Sequence, residues 1–155
     1  MRREELEIRE RFLGKEHRET LRCMLFLADS LAPQGAYPEA EGLARKALAT
    51  AQRVLGEKNS TTIEGTLLLI RILGSQDKHA EAEPLWRQSL AICRRVYGKG
   101  HPETLKAMSS LALCLEAQGK TDEAKQLRAE KAAIKAATRP ASVPASNPAS
   151  KPSGP

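Results

Sequence analysis

Residues 13–21 read L-G-K-E-H-R-E-T-L, and the pattern returns as L-G-E-K-N-S-T-T-I at 55–63 and as Y-G-K-G-H-P-E-T-L at 97–105, a shift of 42 residues each time. A second block keeps the same period: Q-G-A-Y-P-E-A-E at 34–41, Q-D-K-H-A-E-A-E at 76–83 and Q-G-K-T-D-E-A-K at 118–125. Glu39, Glu81 and Glu123 fall in one column, and Ala40, Ala82 and Ala124 in the next. Self-similarity at such a period marks an array of supersecondary units, each unable to bury its apolar face alone and therefore stacked on its neighbours.

Between the two blocks the apolar residues are spaced i, i+3, i+4, i+7, the face of an amphipathic helix: Met24, Leu27, Ala28 and Leu31, then Thr66, Leu69, Ile70 and Leu73, then Met108, Leu111, Ala112 and Leu115. This is helix A of each unit. After the second block a further stripe, Ala40, Leu43, Ala47, Leu48, Ala51 and its counterpart Ala82, Leu85, Ser89, Leu90, Cys93, makes helix B. Gly14, Gly56 and Gly98 stand just past helix B, where a helix stop needs positive φ. Asn59 is placed to cap the next helix, Pro102 suits a first helical position, and Glu19 and Glu103 sit in first turns favoured by the helix dipole. The expectation is helices at about 1–13, 18–32, 37–55, 60–74, 80–97, 102–117 and 121–137. Pro84 conflicts with this, lying a few residues into a helix B, and predicts a delayed start or a slight kink.

The units are thus about 1–13 (partial), 18–55, 60–97 and 102–137, forming one repeat domain over 1–137. Residues 138–155 read as a disordered Pro/Ala/Ser-rich tail, with prolines at 140, 144, 148 and 152 and almost no apolar surface to bury. Aromatic residues make up only 3%, so the core must be built from Ala and Leu. The net charge is +6, of which the tail carries Arg139 and Lys151 without an acid, leaving a mild +4 on the repeats. Three cysteines, 23, 93 and 114, show neither CxxC spacing nor an even count, which argues against disulfides and zinc and for a reducing, cytoplasmic setting. MRREELEIRE lacks an apolar leader core, and the longest aliphatic run, 67–70, is far too short to span a bilayer, so no membrane partner is expected.

The 42-residue period, the L-G-x-x-H-P-x-T-like loops at 13–20 and 97–104, L-A-L at 111–113 and Q-G-K-x-x-E-A at 118–124 resemble the tetratricopeptide repeats of kinesin light chains and nephrocystin-3-type proteins. The resemblance covers about residues 1–137. It implies an all-α array of αα-hairpins, a short right-handed superhelix, whose helices A line a concave side that holds a partner peptide or domain. In kinesin light chains the middle of helix A usually carries paired asparagines. The matching positions here are Leu25 and Phe26, Leu67 and Leu68, Ser109 and Ser110, which implies an apolar groove in place of a polar clamp.

No set of residues converges on chemistry. His17 and His101 occupy one repeat position two periods apart, too distant to share a metal, and read as loop and cap residues. The cysteines fall in three different columns with no histidine beside them. Trp86 reads as a core aromatic, in a column where other units have Ala44 and Arg128. No enzyme, cofactor or metal is therefore expected. Arg3, Arg45 and Arg87 form one basic column on helix B, and Arg11, Arg53 and Arg95 another, which supports an alternative function: binding RNA or another polyanion. Without interleaved aromatics a nucleic-acid surface lacks stacking partners. The outer units are polar (Glu5, Lys131, Arg128) where inner ones are small or apolar, as array ends require, although the helix over 1–13 is a helix B without its helix A.

The leading expectation is a protein-interaction scaffold or adaptor. Its partner site is built from Arg22, Leu25, Phe26 and Asp29, then Glu64, Leu67, Leu68 and Arg71, then Lys106, Ser109, Ser110 and Leu113. Leu25, Phe26, Leu67 and Leu68 at its centre should take an amphipathic helix or leucine-bearing peptide, gripped by apolar burial at roughly 25 cal/mol per Å². The flanking charges alternate in sign and should set register. The competing expectation is that this strip packs against further repeats or a second copy of the chain.

Overall fold

The computed structural model describes residues 2–138, and the proline-rich segment from 139 onward, expected as a tail, lies outside the described residues. Seven α-helices follow in order: α1 (Arg2–Leu13), α2 (Arg18–Leu31), α3 (Tyr37–Leu55), α4 (Ser60–Gly74), α5 (His79–Tyr97), α6 (Pro102–Ala117) and α7 (Thr121–Ala137), with one 3-10 turn at Ala32–Gln34 and no strand among the described residues. The helices α2/α3, α4/α5 and α6/α7 are hairpins, and α1 stands before the first as a lone helix B. Each hairpin stacks on the next through α3 on α4 and α5 on α6, with α2 also against α4.

The sequence signals act as helix punctuation. Asn59 Oδ1 accepts the Thr61 N–H at 2.9 Å, and in the same column His17 and His101 accept through Nδ1 from Glu19 N–H at 3.3 Å and Glu103 N–H at 3.2 Å. Their backbones are extended, as an N-cap requires, and Gly56 and Gly98 end the helices B at φ +83° and +88°. The turn between helices A and B uses Gly35 and Gly119 at positive φ, whereas the residue in that column of the middle unit is Asp77, at φ +56°.

Of the two outcomes expected at Pro84, the delayed start is the one the structure corrects. Helix α5 begins at His79 and runs through Pro84, so its start is not delayed. The proline sits in the second turn with its ring exposed, and the bond forgone is the one its absent N–H would have made to the carbonyl four residues earlier.

The core has two parts. Leu21, Met24, Leu69, Ile72 and Leu73, each at most 2% exposed, anchor a cluster shared by α2, α3 and α4. Leu90, Met108, Leu111, Ala112 and Leu115 form a second cluster from α5 and α6. Trp86 is partly buried and packs against both.

A cleft between the second and third hairpins

The first hairpin closes on an alanine seam. Ala40, Ala44, Ala47 and Ala51 of α3 are all 0% exposed, and side chains this small let α2 and α3 lie close together. One repeat later the same columns hold Ala82, Trp86, Ser89 and Cys93. With an indole in the place of a methyl, α5 packs less closely on α4 than α3 does on α2, and a cleft lies between α4 and α6 with Trp86 as its floor.

The cleft is two connected hollows of about 350 and 410 Å³ that share Leu67, Trp86 and Ser110. The first reaches Ile63, Ile92, Val96 and Tyr97; the second runs to Arg71, His79 and Leu113. Lys58 and the Lys106–Glu103 pair (2.7 Å) stand at the mouth of the first. The walls are mainly aliphatic and aromatic with a few hydroxyls, the make-up of a site that takes an apolar group and orients it with little polar contact.

The expected partner residues divide between groove and core. Phe26, Leu67 and Leu113 are exposed at 53, 46 and 58%, and Ser109 and Ser110 are half-buried near Leu67 and Leu113. Leu25 and Leu68 do not line a groove, which corrects the expected site. Both belong to the first core cluster at 6 and 8% exposure. Helix α4 covers Leu25, whose δ carbons lie 3.4 and 3.5 Å from where a Cβ on Gly65 would stand. Leu68 is one of nine buried residues among the fifteen of α4, which packs against α3, α5 and α2. Phe26 lies away from the cleft, in a hollow between α1 and α2, with the Arg22 guanidinium 5.8 Å from its ring centre.

The flanking charges are mostly engaged with one another. Asp29 pairs with Arg71 across consecutive helices A, Arg22 with Glu19 at 3.5 Å, and Lys106 with Glu103; Glu64 is exposed. Sequence reasoning missed Ile63, Ser89, Ile92, Cys93, Val96 and Tyr97 as cleft-lining residues and assigned Trp86 to the core alone. The available signal was the Ala44-to-Trp86 change within one column.

The arginine columns are not bare basic stripes. Arg3, Arg45 and Arg87 bind Glu39, Glu81 and Glu123 of the next helix B at 2.7, 2.5 and 2.7 Å. In the other column Arg53 pairs with Glu16, and Arg95 lies 3.7 Å from Glu57. A second ladder runs through Glu41 and Glu83, whose side chains are only 13 and 12% exposed. Hydrogen bonds from Lys78 to Glu41 and from Lys120 to Glu83, reinforced by Arg45 and Arg87, outweigh desolvation and lower both carboxyls to about 2.

Cys23 and Cys114 are buried at 3 and 5% exposure, while Cys93 is half-buried on the cleft wall. Burial raises the thiols of Cys93 and Cys114 above their ordinary value, which disfavours the reactive thiolate. No group of three or more His, Cys, Asp or Glu able to hold a metal occurs among the described residues, and no helix there is long and apolar enough to cross a membrane.

Two family models, both described as tetratricopeptide repeat, match residues 20–60 and 62–130. No curated protein matches. Among solved structures, a kinesin light chain-like protein of Podospora anserina with nearly identical TPR-like repeats is 26% identical at a TM-score of 0.73, over 86% of this chain and 64% of that one. A single-substitution variant of that protein is similar at 26% and 0.72, over 86% and 63%. BtubC (BKLC) from P. vanneervenii, at 20% identity and a TM-score of 0.72 over 97% of this chain and 58% of that one, shares the fold. The chain spans less than two thirds of the length of each of these structures.

Proposed function

The chain belongs to the tetratricopeptide repeat family, and from that premise we propose that it is a protein-interaction scaffold, an adaptor of the kinesin light chain-like kind, that holds a partner peptide or helix by an apolar side chain seated in the cleft between α4 and α6. The observation that carries this reading is Leu67, 46% exposed at the centre of an apolar cleft floored by Trp86. A leucine left facing water beside an indole is stabilised by whatever covers it, at roughly 25 cal/mol per Å² of apolar surface. The hydroxyls of Ser89 and Ser110 offer orientation without a charge requirement. A reducing compartment such as the cytoplasm suits the three free cysteines.

The test uses the only tryptophan in the chain as its own reporter. A designed amphipathic helical peptide bearing two leucines one turn apart is titrated while Trp86 emission is followed. A blue shift with saturable binding is expected, lost in Leu67→Asp, a change at an exposed position that leaves the fold intact. Unchanged emission on titration of the wild-type chain would overturn the proposal. The alternative reading, polyanion binding through the arginine columns, has no support from geometry, since a glutamate bridges each of Arg3, Arg45 and Arg87.

A further inference from the structure

One edge of the array carries an apolar row with the period of the repeat and, beside it, one lysine in each successive turn. The C-terminal ends of α1, α3 and α5 present Phe12, Val54 and Val96, a single column, at 78, 43 and 49% exposure. The turn after each end holds one lysine, Lys15, Lys58 or Lys99, exposed and without an ionic partner among the described residues. These turns lie side by side: Arg53 at the end of α3 pairs with Glu16 of the first turn, Arg95 at the end of α5 reaches Glu57 of the second, and Arg18 Nη2 is 3.4 Å from Ser60 Oγ. Those contacts already occupy Glu16 and Glu57, so neither carboxylate is left to neutralise the lysines.

The opposite edge is built differently. Its lysines, Lys78 and Lys120, are bound to Glu41 and Glu83, and none of the exposed large hydrophobic residues lies in its turns. The pairing of apolar tips with free cations is therefore a property of one edge, repeated in three successive units.

The helices B that carry these tips are tied in sequence by the Arg3–Glu39 and Arg45–Glu81 pairs, so the tips form a row of separate apolar points, and a helix can meet such a row with side chains at seven-residue spacing, about 10.5 Å apart, on one face. We propose that this edge docks an acidic amphipathic helix of a partner protein. The helix lies across the ends of α1, α3 and α5, with apolar side chains at seven-residue spacing on Phe12, Val54 and Val96 and carboxylates against the lysines. Apolar contact fixes the register, and the lysines select an acidic partner and speed its encounter. Val96 and Lys58 also line the α4–α6 cleft, and Leu67, which belongs to the cleft alone, tells the two surfaces apart.

The probe is a designed fluorescent helix with three leucines at seven-residue spacing and flanking glutamates, followed by polarisation at low and high salt. Combined Lys15→Glu, Lys58→Glu and Lys99→Glu is expected to weaken binding by about tenfold or more and to flatten the salt dependence. Phe12→Ser should weaken it at all salt concentrations, whereas Leu67→Asp should not change it. All these residues are exposed, and circular dichroism serves to check that each variant is folded. Equal binding of a control helix with leucines at five-residue spacing, or no effect of the triple reversal, would overturn the proposal. So would binding to phosphatidylserine vesicles with no binding of the peptide, which would reassign the edge to a lipid surface.

Discussion

Lys78 Nζ lies 2.7 Å from Glu41 Oε2, and one repeat later Lys120 Nζ lies 2.6 Å from Glu83 Oε2. In each case the lysine at the start of one helix B reaches back to a largely buried carboxylate on the previous helix B, which also accepts from an arginine one turn along its own helix. The contact therefore staples consecutive hairpins.

Both carboxyls are lowered to about 2 in the folded chain, so their pairing stabilises fully above their unfolded value near 4.5 and is lost as pH falls from there toward 2. Each shift corresponds to about 3 kcal/mol, reduced to about 1–2 by the solvent-facing cations. Glu41→Gln should lower stability by that amount at neutral pH in a urea titration and leave it nearly unchanged at pH 2. An equal loss at both pH values would show that the pair contributes nothing electrostatic.

The alanine seam and the Trp86 cleft should respond in opposite ways to added volume. Ala47→Leu forces a branched side chain into a 0% exposed position and should cost about 1–3 kcal/mol or more. Ser89→Leu, in the same column but on the cleft wall, should cost less than about 1 kcal/mol. Thermal unfolding of the two variants compares them directly, and similar losses would mean that the cleft is as tightly packed as the seam.

His101 caps α6 by accepting a backbone N–H, a task that Asn59 performs for α4 in the same column. His101→Ala should cost about 1 kcal/mol, and His101→Asn should be neutral within a few tenths. If asparagine is as harmful as alanine, the stacking of His101 on Tyr97, with ring centres 4.7 Å apart, matters more than the cap.

Two substitutions in the middle unit should stabilise the chain. Asp77 holds a left-handed conformation that Gly35 and Gly119 supply in the other units, so Asp77→Gly should gain about 0.5–1 kcal/mol. Pro84→Ala should restore one helical hydrogen bond for about 1 kcal/mol or more. A raised denaturant midpoint is the expected result for each, and a lowered one would refute it.

The helices and their ends were legible because the punctuation repeats: capping residues at 17, 59 and 101 and glycines at 14, 56 and 98 act locally, and the structure places every helix end within one residue of the expectation. The groove was only half legible. Column-by-column reading assumes that each helix A turns the same face to its neighbours, yet Leu25 is buried where Leu67 is exposed, and Phe26 is exposed where Leu68 is buried. Leu25 is covered by α4 at Gly65, whereas Leu67 borders the Trp86 cleft and Phe26 faces a hollow beside α1, tertiary differences that no helical period encodes. The arginine columns were legible as columns, but the partners of Arg3, Arg45 and Arg87 lie 36 residues ahead on another helix, and only the folded chain shows these three paired.

That constant offset has a consequence for how such a chain can change in length. Arg3, Arg45 and Arg87 each meet a glutamate the same number of residues ahead, so excision of a whole period, 22–63 for instance, would bring Glu81 to the position relative to Arg3 that Glu39 now holds. The joint created by losing or gaining one unit would carry the same charges as the joint it replaces. Copy number is thus free to drift without a matching substitution, while a gain or loss of any other number of residues between the two ends of a rung would pull that rung out of register.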